Sequence, residues 1–474
     1  AAFQNPEFYK KQGMRLSTAL TPRVICCAEE EIEHVALPRG CLAGLRELLA
    51  ENDSQLVIED KRTDGQPLEV RFRGTLTAEQ HKAADALDDE ETGVLVAPPG
   101  TGKTVVGIYL IARRARNTLV LVHRQQLLDQ WRSRIAMFLG LELSQIGQIG
   151  GGKRKPTGQI DVAMIQSLVR RADVADLIAE YGHVVVDECH HIPAPSFERL
   201  LGEAHARFVT GLTATPRRRD GHHPITEMQL GPVRYTVDQR KLAASRPFEQ
   251  KLVLRHTEFR YNTEQERPPI QDVYRAMVDD QDRNQMLLGD IIRALEEGRC
   301  PIVLTERTAH LEFIEEQLRG FACNTIVLRG GRTSKQRRVA LERLAAVPDD
   351  EERLILATGR FIGEGFDDDR LDTLFLVMPI SWKGTLIQYT GRLHRLHPAK
   401  REVRIYDYVD RRVPMLARMA EKRLRGYRSI GYVAVEDELV GAGGRPVPDA
   451  GADADEPFEG DAVIEWDLEA LRTL

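Results

Sequence analysis

Short runs of apolar, often β-branched residues recur along the chain, and each is followed by a stretch whose apolar positions repeat every three to four residues. Val94-Leu95-Val96, Thr118 to Val122, Ile160 to Ile165, His183 to Val186 and Arg207 to Gly211 have the composition and length of buried strands. Between them, Val105 to Ile111 and Gln125 to Phe138 carry their apolar residues on one helical side. A second series opens with a helix over Asn284 to Glu297. It continues with strands at Ile302 to Thr305, Asn324 to Leu328, Arg353 to Ala357, Thr373 to Val377 and Val403 to Val409. A basic amphipathic helix, Pro414 to Tyr427, closes it. Apolar strands alternating with helices predict an α/β protein with two doubly wound parallel sheets, whose functional groups sit at the carboxyl ends of the strands.

The flanks read differently. Residues 1 to about 34 show no clear periodicity. His34 to Pro38 reads as extended, Cys41 to Ala50 as helix and Gln55 to Glu59 as an alternating strand, which predicts a small β–α–β unit ending near Gly74. That unit is either a packing appendage or a nucleic-acid-sensing domain. The chain thus divides into an N-terminal extension with a small α+β domain (1–74), a first large domain (75–240) and a bridge or insertion (241–284). A second large domain (285–432) and an acidic tail (433–474) follow, and Gly441 to Asp461 read as flexible linker.

Net charge is −6, but twelve Asp/Glu against Arg445 and Arg472 give residues 433–474 a balance of −10, leaving the other 432 residues at +4. A weakly basic body with an acidic tail is compatible with a nucleic-acid partner. The six cysteines have no C-x-x-C spacing, which indicates neither a zinc site nor a disulfide framework and fits a reducing, cytoplasmic setting. Apolar runs stay far below the roughly 20 residues of a membrane span. The chain opens on Ala-Ala-Phe, without methionine, and is expected to be part of something longer.

The chemistry concentrates in three places. After Val94-Leu95-Val96 comes Ala97-Pro98-Pro99-Gly100-Thr101-Gly102-Lys103-Thr104, a phosphate loop with alanine in the first glycine position. Its glycines let backbone N–H groups surround a phosphate. Lys103 would reach the β- and γ-phosphates, and the Thr104 hydroxyl would hold Mg²⁺. Asp187-Glu188 follows four apolar residues in the same sheet, so the first carboxylate can join the magnesium shell and the second can orient the attacking water. In the second series, Gln388 to Arg395 places Arg392 and Arg395 three residues apart on one helical face, able to reach a γ-phosphate across a cleft. Gln80, some twenty residues before the phosphate loop, has an amide that can read an adenine edge. Cys189 reads as a small buried residue, and His222-His223 lack ligand partners at metal spacing.

Together these segments resemble the superfamily 2 helicases over residues 75 to 430. In family order they are Gln80 after Leu-Thr, the phosphate loop, Val122-His123-Arg124, Ile165-Gln166-Ser167, Asp187-Glu188-Cys189-His190 (the DECH form) and Thr213-Ala214-Thr215. Val303-Leu304-Thr305, Ala357-Thr358-Gly359 through Gly365-Phe366-Asp367, and Gln388 to Arg395 complete the set. The resemblance implies two tandem RecA-like domains, ATP and Mg²⁺ as cofactors, and DNA, single-stranded or forked, as partner. It implies a nucleotide site of Gln80, Pro99, Gly100, Thr101, Gly102, Lys103, Thr104, Gly365 and Asp367, the last on the ribose. Lys103, Glu188, Gln388, Arg392 and Arg395 would be catalytic, with the two arginines as γ-phosphate sensors, and Thr104 and Asp187 would hold the metal. His190 is implied to link the two domains, and Thr213 and Thr215 to couple hydrolysis to movement. Arg124, Gln166, Ser167, Arg332, Thr333 and Thr358 would follow the nucleic-acid backbone.

Within the superfamily the chain is most similar to the XPB and UvsW group. Pro216-Arg217-Arg218-Arg219-Asp220 stands where that group carries Arg-Glu-Asp, with Arg219 in the glutamate's place, and residues 34–74 resemble its damage-recognition domain. The stretch from Phe3-Gln4-Asn5-Pro6-Glu7-Phe8-Tyr9 also resembles the helicase part of bacterial TOTE-type conflict proteins, which implies a primase- or nuclease-like domain upstream. Three functions remain open: a DNA helicase, a double-strand translocase without strand separation, and an ATP-switched binding module. RNA as the polymer also remains open.

Overall fold

A computed structural model describes residues 1–169, 174–191, 194–214, 221–244, 246–263, 268–330, 334–359, 368–380 and 383–435. Thr215, the Pro216 to Asp220 element, Arg332, Thr333, Gly365, Asp367 and the tail from residue 436 lie outside the described residues.

The first lobe is an eight-stranded sheet. Its spatial order is Val233–Thr236, Thr92–Val96, Phe208–Thr213, His183–Asp187, Thr118–Val122, Ile160–Met164, Ile146–Gly150 and Lys153–Lys155, parallel except for the last pair. Thr118 to Val122 (TLVLV) is buried at every position because helices cover both faces, which is why it reads as a continuous apolar run. Two core clusters, one on each face, meet through these strands. Leu95, Val120 and Trp131 belong to one, and Val94, Leu121 and Val184 to the other.

The second lobe is a seven-stranded, all-parallel sheet ordered Thr325–Leu328, Leu354–Thr358, Pro301–Thr305, Thr373–Leu376, Glu402–Val409, Glu249–His256, Val433–Val435. The helix Pro414–Ser429 is anchored by a buried fork, with Arg423 Nε and Nη2 donating to the two Asp407 oxygens at 2.7 and 2.8 Å. The segment expected as a bridge, 241–284, is therefore partly core. Glu249–His256 pairs with Glu402–Val409 over eight residues, and its far side is covered by Val433–Val435, at the start of the expected tail.

The expected β–α–β unit does not form. The helix Leu42–Glu51 is present, but Gln55 to Glu59 has no strand partner and runs as irregular chain. Alternation alone supplies no ladder partner, and from here to residue 74 the β-pairing is limited to isolated bridges, Thr63 with Ala206 and Pro67 with Arg116. Residues 1–34 do contain structure, a strand pair Ala2–Gln4 with Val24–Cys26 and a helix Pro6–Gly13 capped by Asn5. This region is docked on the first lobe by Arg39, which donates to the Ala206 carbonyl at 3.0 Å. Among the described residues no helix is long and apolar enough to cross a membrane.

Candidate nucleotide-binding cleft

The strand Thr92–Val96 delivers the chain into the phosphate loop at the carboxyl edge of the first sheet. Gly100 and Gly102 adopt φ of +85° and +87°, which a side chain would strain, and the helix Lys103–Arg114 starts directly afterwards. Its first N–H groups have no partner within the helix and are suited to an anion. Lys103 is 9 % exposed; its ammonium donates to the Ala97 carbonyl at 3.0 Å and lies 3.4 Å from Glu188 Oε1. Gln80 holds the loop from the side. Its amide nitrogen donates to the Thr101 carbonyl at 2.9 Å, and its oxygen accepts from the Thr77 N–H at 2.9 Å. Thr77 in turn caps the helix Ala78–Asp88. Both ends of the amide are engaged by protein, so in this arrangement Gln80 positions the loop, and reading a base would require it to turn.

The strand His183–Asp187 ends on the carboxylates. Asp187 is buried; its Oδ2 accepts from the Trp131 indole N–H at 2.7 Å and its Oδ1 from the Glu188 N–H at 3.0 Å. Burial, reinforced by the neighbouring Glu188 charge, pushes its carboxyl up to about 6. A buried acid beside a second acid fits a site completed by a cation. Asp187 and Thr104 line one pocket and could hold Mg²⁺, an ion that keeps most of its water and takes few protein ligands. No larger group of metal-ligating side chains occurs among the described residues. Glu188 sits at φ +48°, a conformation uncommon outside glycine that costs roughly 1–3 kcal/mol when the surroundings impose it. Its Oε2 lies 3.4 Å from His190 Nδ1 and accepts from the Ala214 N–H at 3.4 Å. His190 Nδ1 also pairs with the Thr213 hydroxyl at 2.7 Å. Through Glu188 and Thr213, His190 ties the DECH segment to the following strand. Cys189 is buried, which pushes its thiol far above the usual range.

The second lobe completes the pocket. Pro98, Pro99, Gly100, Gly102, Lys103, Thr104, Asp187 and Glu188 face Gln388, Arg392 and Arg395 across one cleft. The helix Lys383–Leu393 approaches so closely that a β-carbon on Gly391 would lie 2.6 Å from Pro99 Cβ. The pocket also holds Leu127, Gln130 and Arg134, which the sequence reading missed. Together with Trp131 they occupy one face of the helix Gln125–Leu139 at helical spacing, a signal the amphipathic pattern contained but did not identify as functional.

The remaining sites lie at strand ends. Arg124 is exposed just before the helix Gln125–Leu139, and Gln166 donates to the His123 carbonyl at 3.0 Å, joining the ends of two neighbouring strands. Ser167 is half-buried in the next turn, and Thr358 ends a strand of the second lobe.

Two stacked parallel-sheet lobes facing each other over a phosphate loop, an acidic pair and two arginines define a RecA-like nucleoside-triphosphate motor. Residues 73–218 match the type III restriction enzyme res subunit family and residues 284–397 the helicase conserved C-terminal domain. The chain belongs to superfamily 2 of the helicases. It is 37 % identical over 158 residues to a putative DNA 3'-5' helicase Rad25 of Halobacterium salinarum, covering 33 % of this chain and 26 % of the relative. It is 30 % identical over 192 residues to the DNA 3'-5' translocase XPB2 of Sulfurisphaera tokodaii, covering 40 % and 42 %. The matches thus span less than half the length of these relatives. The fold is shared with an ATP-dependent Type ISP restriction-modification enzyme, LlaBIII, bound to DNA. There the TM-score is 0.56 at 15 % identity, over 78 % of this chain and 31 % of that one.

Proposed function

We propose that this chain couples hydrolysis of ATP to movement along DNA, with strand separation as the outcome. The observation that carries this reading is the single cleft in which Lys103, Asp187 and Glu188 of one lobe face Arg392 and Arg395 of the other. Lys103 would exchange its Ala97 carbonyl for phosphate oxygens, and Glu188 would orient the attacking water and accept its proton. Asp187 and Thr104 would hold Mg²⁺, which would supply neutralisation of phosphate charge. Arg392 and Arg395 would meet the charge that develops on the transferred phosphoryl group, a contribution worth ~10³ to 10⁵ in rate in related nucleotide hydrolases. Their position on the second lobe makes hydrolysis depend on closure, and reopening afterwards moves one lobe relative to the other.

Arg124, Gln166, Ser167 and Thr358, with Arg332 and Thr333, would form the track. Hydroxyls, amides and a few cations read the phosphate backbone, which suits a motor that steps on any sequence. The exposed basic strand Lys153–Lys155 extends this edge of the first lobe. DNA is the proposed polymer because the relatives are named DNA helicases and translocases. Arg219, in place of a glutamate, favours as second reading a double-strand translocase that leaves strands paired. The free cysteines agree with a reducing, cytoplasmic setting.

The test is the steady-state ATPase rate with Mg²⁺, alone and with single-stranded, double-stranded and forked DNA and with RNA, for the wild type and Lys103→Ala. Stimulation by DNA that Lys103→Ala reduces to background is expected. A substituted protein with unchanged turnover would overturn the site assignment, and a strand-displacement assay separates helicase from translocase.

A further inference from the structure

Just beyond the helix that carries Arg392, the chain passes Arg395, turns through His397 and brings Lys400 back under the helix end. The Lys400 side chain is enclosed, 6 % exposed, and its ammonium donates to three main-chain carbonyls: Leu393 at 2.9 Å, Arg395 at 2.8 Å and Asp369 at 2.8 Å. An ammonium has three donors, and here each meets one acceptor. Two of those acceptors belong to the segment that presents Arg395 to the cleft. The third belongs to the chain just after Asp367 and Asp368, on the way to the strand Thr373–Leu376. A lysine needed only to finish a helix would be satisfied by the helix's own last carbonyls in solvent.

We infer that Lys400 is a positioning residue for phosphoryl transfer. It pins the Arg395 backbone to the Asp369 segment, so that the arginine is held against the cleft and shifts when that segment shifts. The inference rests on the ATPase reading above. Its surroundings explain why a cation is tolerated there. Asp368, Asp369 and Asp372 approach from the 368–372 segment and favour the charge, as does the Cys300 thiol, while Phe248 covers it with its ring 5.8 Å away. His394, between the helix end and Arg395, is kept well below its usual range by burial and by the nearby charges of Arg246 and Lys400, and its Nε2 pairs with the Tyr432 hydroxyl at 2.9 Å. Burial, outweighing the acids, brings the Lys400 ammonium down to about 8. Loss of a proton leaves two donors for three carbonyls.

The experiment measures DNA-stimulated ATPase of the full chain from pH 6 to 9.5 for the wild type, Lys400→Met, Arg395→Ala and the double substitution. For the wild type, kcat should fall above about pH 8 while KM for ATP changes little. Lys400→Met should lower kcat at pH 7 by about 10- to 100-fold, as expected for a reacting group displaced by about an ångström, with KM within about threefold. In the Arg395→Ala background the same substitution should cost less than about twofold further, because Lys400 acts through Arg395. Full kcat in Lys400→Met, or an undiminished cost in the Arg395→Ala background, would overturn the inference. If Lys400→Met does not fold, Lys400→Gln carries the same test, with a loss of kcat at little change in KM expected and full kcat overturning the inference. A wild type that hydrolyses no ATP with any polymer would instead fail the ATPase reading, and this inference with it.

Discussion

The indole N–H of Trp131 meets Asp187 Oδ2 at 2.7 Å in the interior of the first lobe, joining residues 56 positions apart. The bond fixes the carboxylate proposed to hold Mg²⁺ and leaves its other oxygen to the Glu188 N–H. Trp131→Phe keeps the ring's bulk but orphans a buried acceptor, which costs roughly 1–3 kcal/mol. The expected result is a lower melting temperature together with a rise of about tenfold or more in the Mg²⁺ concentration that half-saturates ATPase activity. A Mg²⁺ titration and a thermal melt on the same sample check both.

Asp187 also predicts an exchange of stability for activity. Its carboxyl, about 6 in the folded protein against an ordinary 3.8, binds its proton more tightly folded than unfolded. Stability is therefore lost as pH rises from about 4 to about 6, and the cost persists at neutral pH. Asp187→Asn removes the charge. Without Mg²⁺ it should lose the fall in stability that the wild type shows as pH rises from about 4 to about 6, with ATPase activity abolished. Denaturant melts with EDTA across that pH range, run beside the activity assay, decide it; an unchanged pH dependence would contradict the reading.

Gln80 spends its amide on Thr101 and Thr77, which predicts a loss without base selectivity. Gln80→Ala should raise KM for ATP and for GTP by similar factors, as expected of a loosened phosphate loop. If KM rises for ATP alone, the amide turns to the base on binding. Competition assays with the two nucleotides give the answer directly.

Gly391 lies against Pro99 where the lobes meet, with no room for a β-carbon. Gly391→Val should hold the cleft open. Nucleotide affinity, built from the first lobe, should stay within about threefold, while kcat falls by about 100-fold or more because Arg392 and Arg395 no longer reach the phosphate. Fluorescent-nucleotide binding against turnover separates the two effects.

His190 stands between Glu188 and Thr213, bonding the Thr213 hydroxyl at 2.7 Å. Thr213→Val keeps the shape and removes that partner. Basal ATPase should stay within about twofold while DNA stimulation drops several-fold, because the link from the acidic pair to the neighbouring strand is cut. Measuring turnover with and without DNA tests this.

The phosphate-loop half of the cleft was legible because its pattern is local. Strand, glycine-rich loop and Lys-Thr are contiguous, and the turn that orients them is imposed by Gly100 and Gly102 themselves. The same holds for Asp187-Glu188 at the end of a buried strand. Arg392 and Arg395 were legible as a pair, but the helix expected to carry both ends at Leu393, so Arg395 follows it in the turn, and nothing within that segment specifies what it faces. The reading failed where a pattern needed a distant partner. Gln55 to Glu59 alternates without a strand to pair with, and Glu249–His256 lay in an irregular stretch until Glu402–Val409 came alongside it.

The sequence by itself determined the two α/β series, the phosphate loop, the acidic pair and the order of the superfamily segments, all set by periodicities and side-chain chemistry within a dozen residues. Tertiary structure decided the strand orders, the inward face of the Gln125–Leu139 helix, the left-handed turn at Glu188 and the three-carbonyl grip of Lys400. Each of these depends on groups brought together from far along the chain, where burial removes water and leaves a polar group only the partners the fold provides.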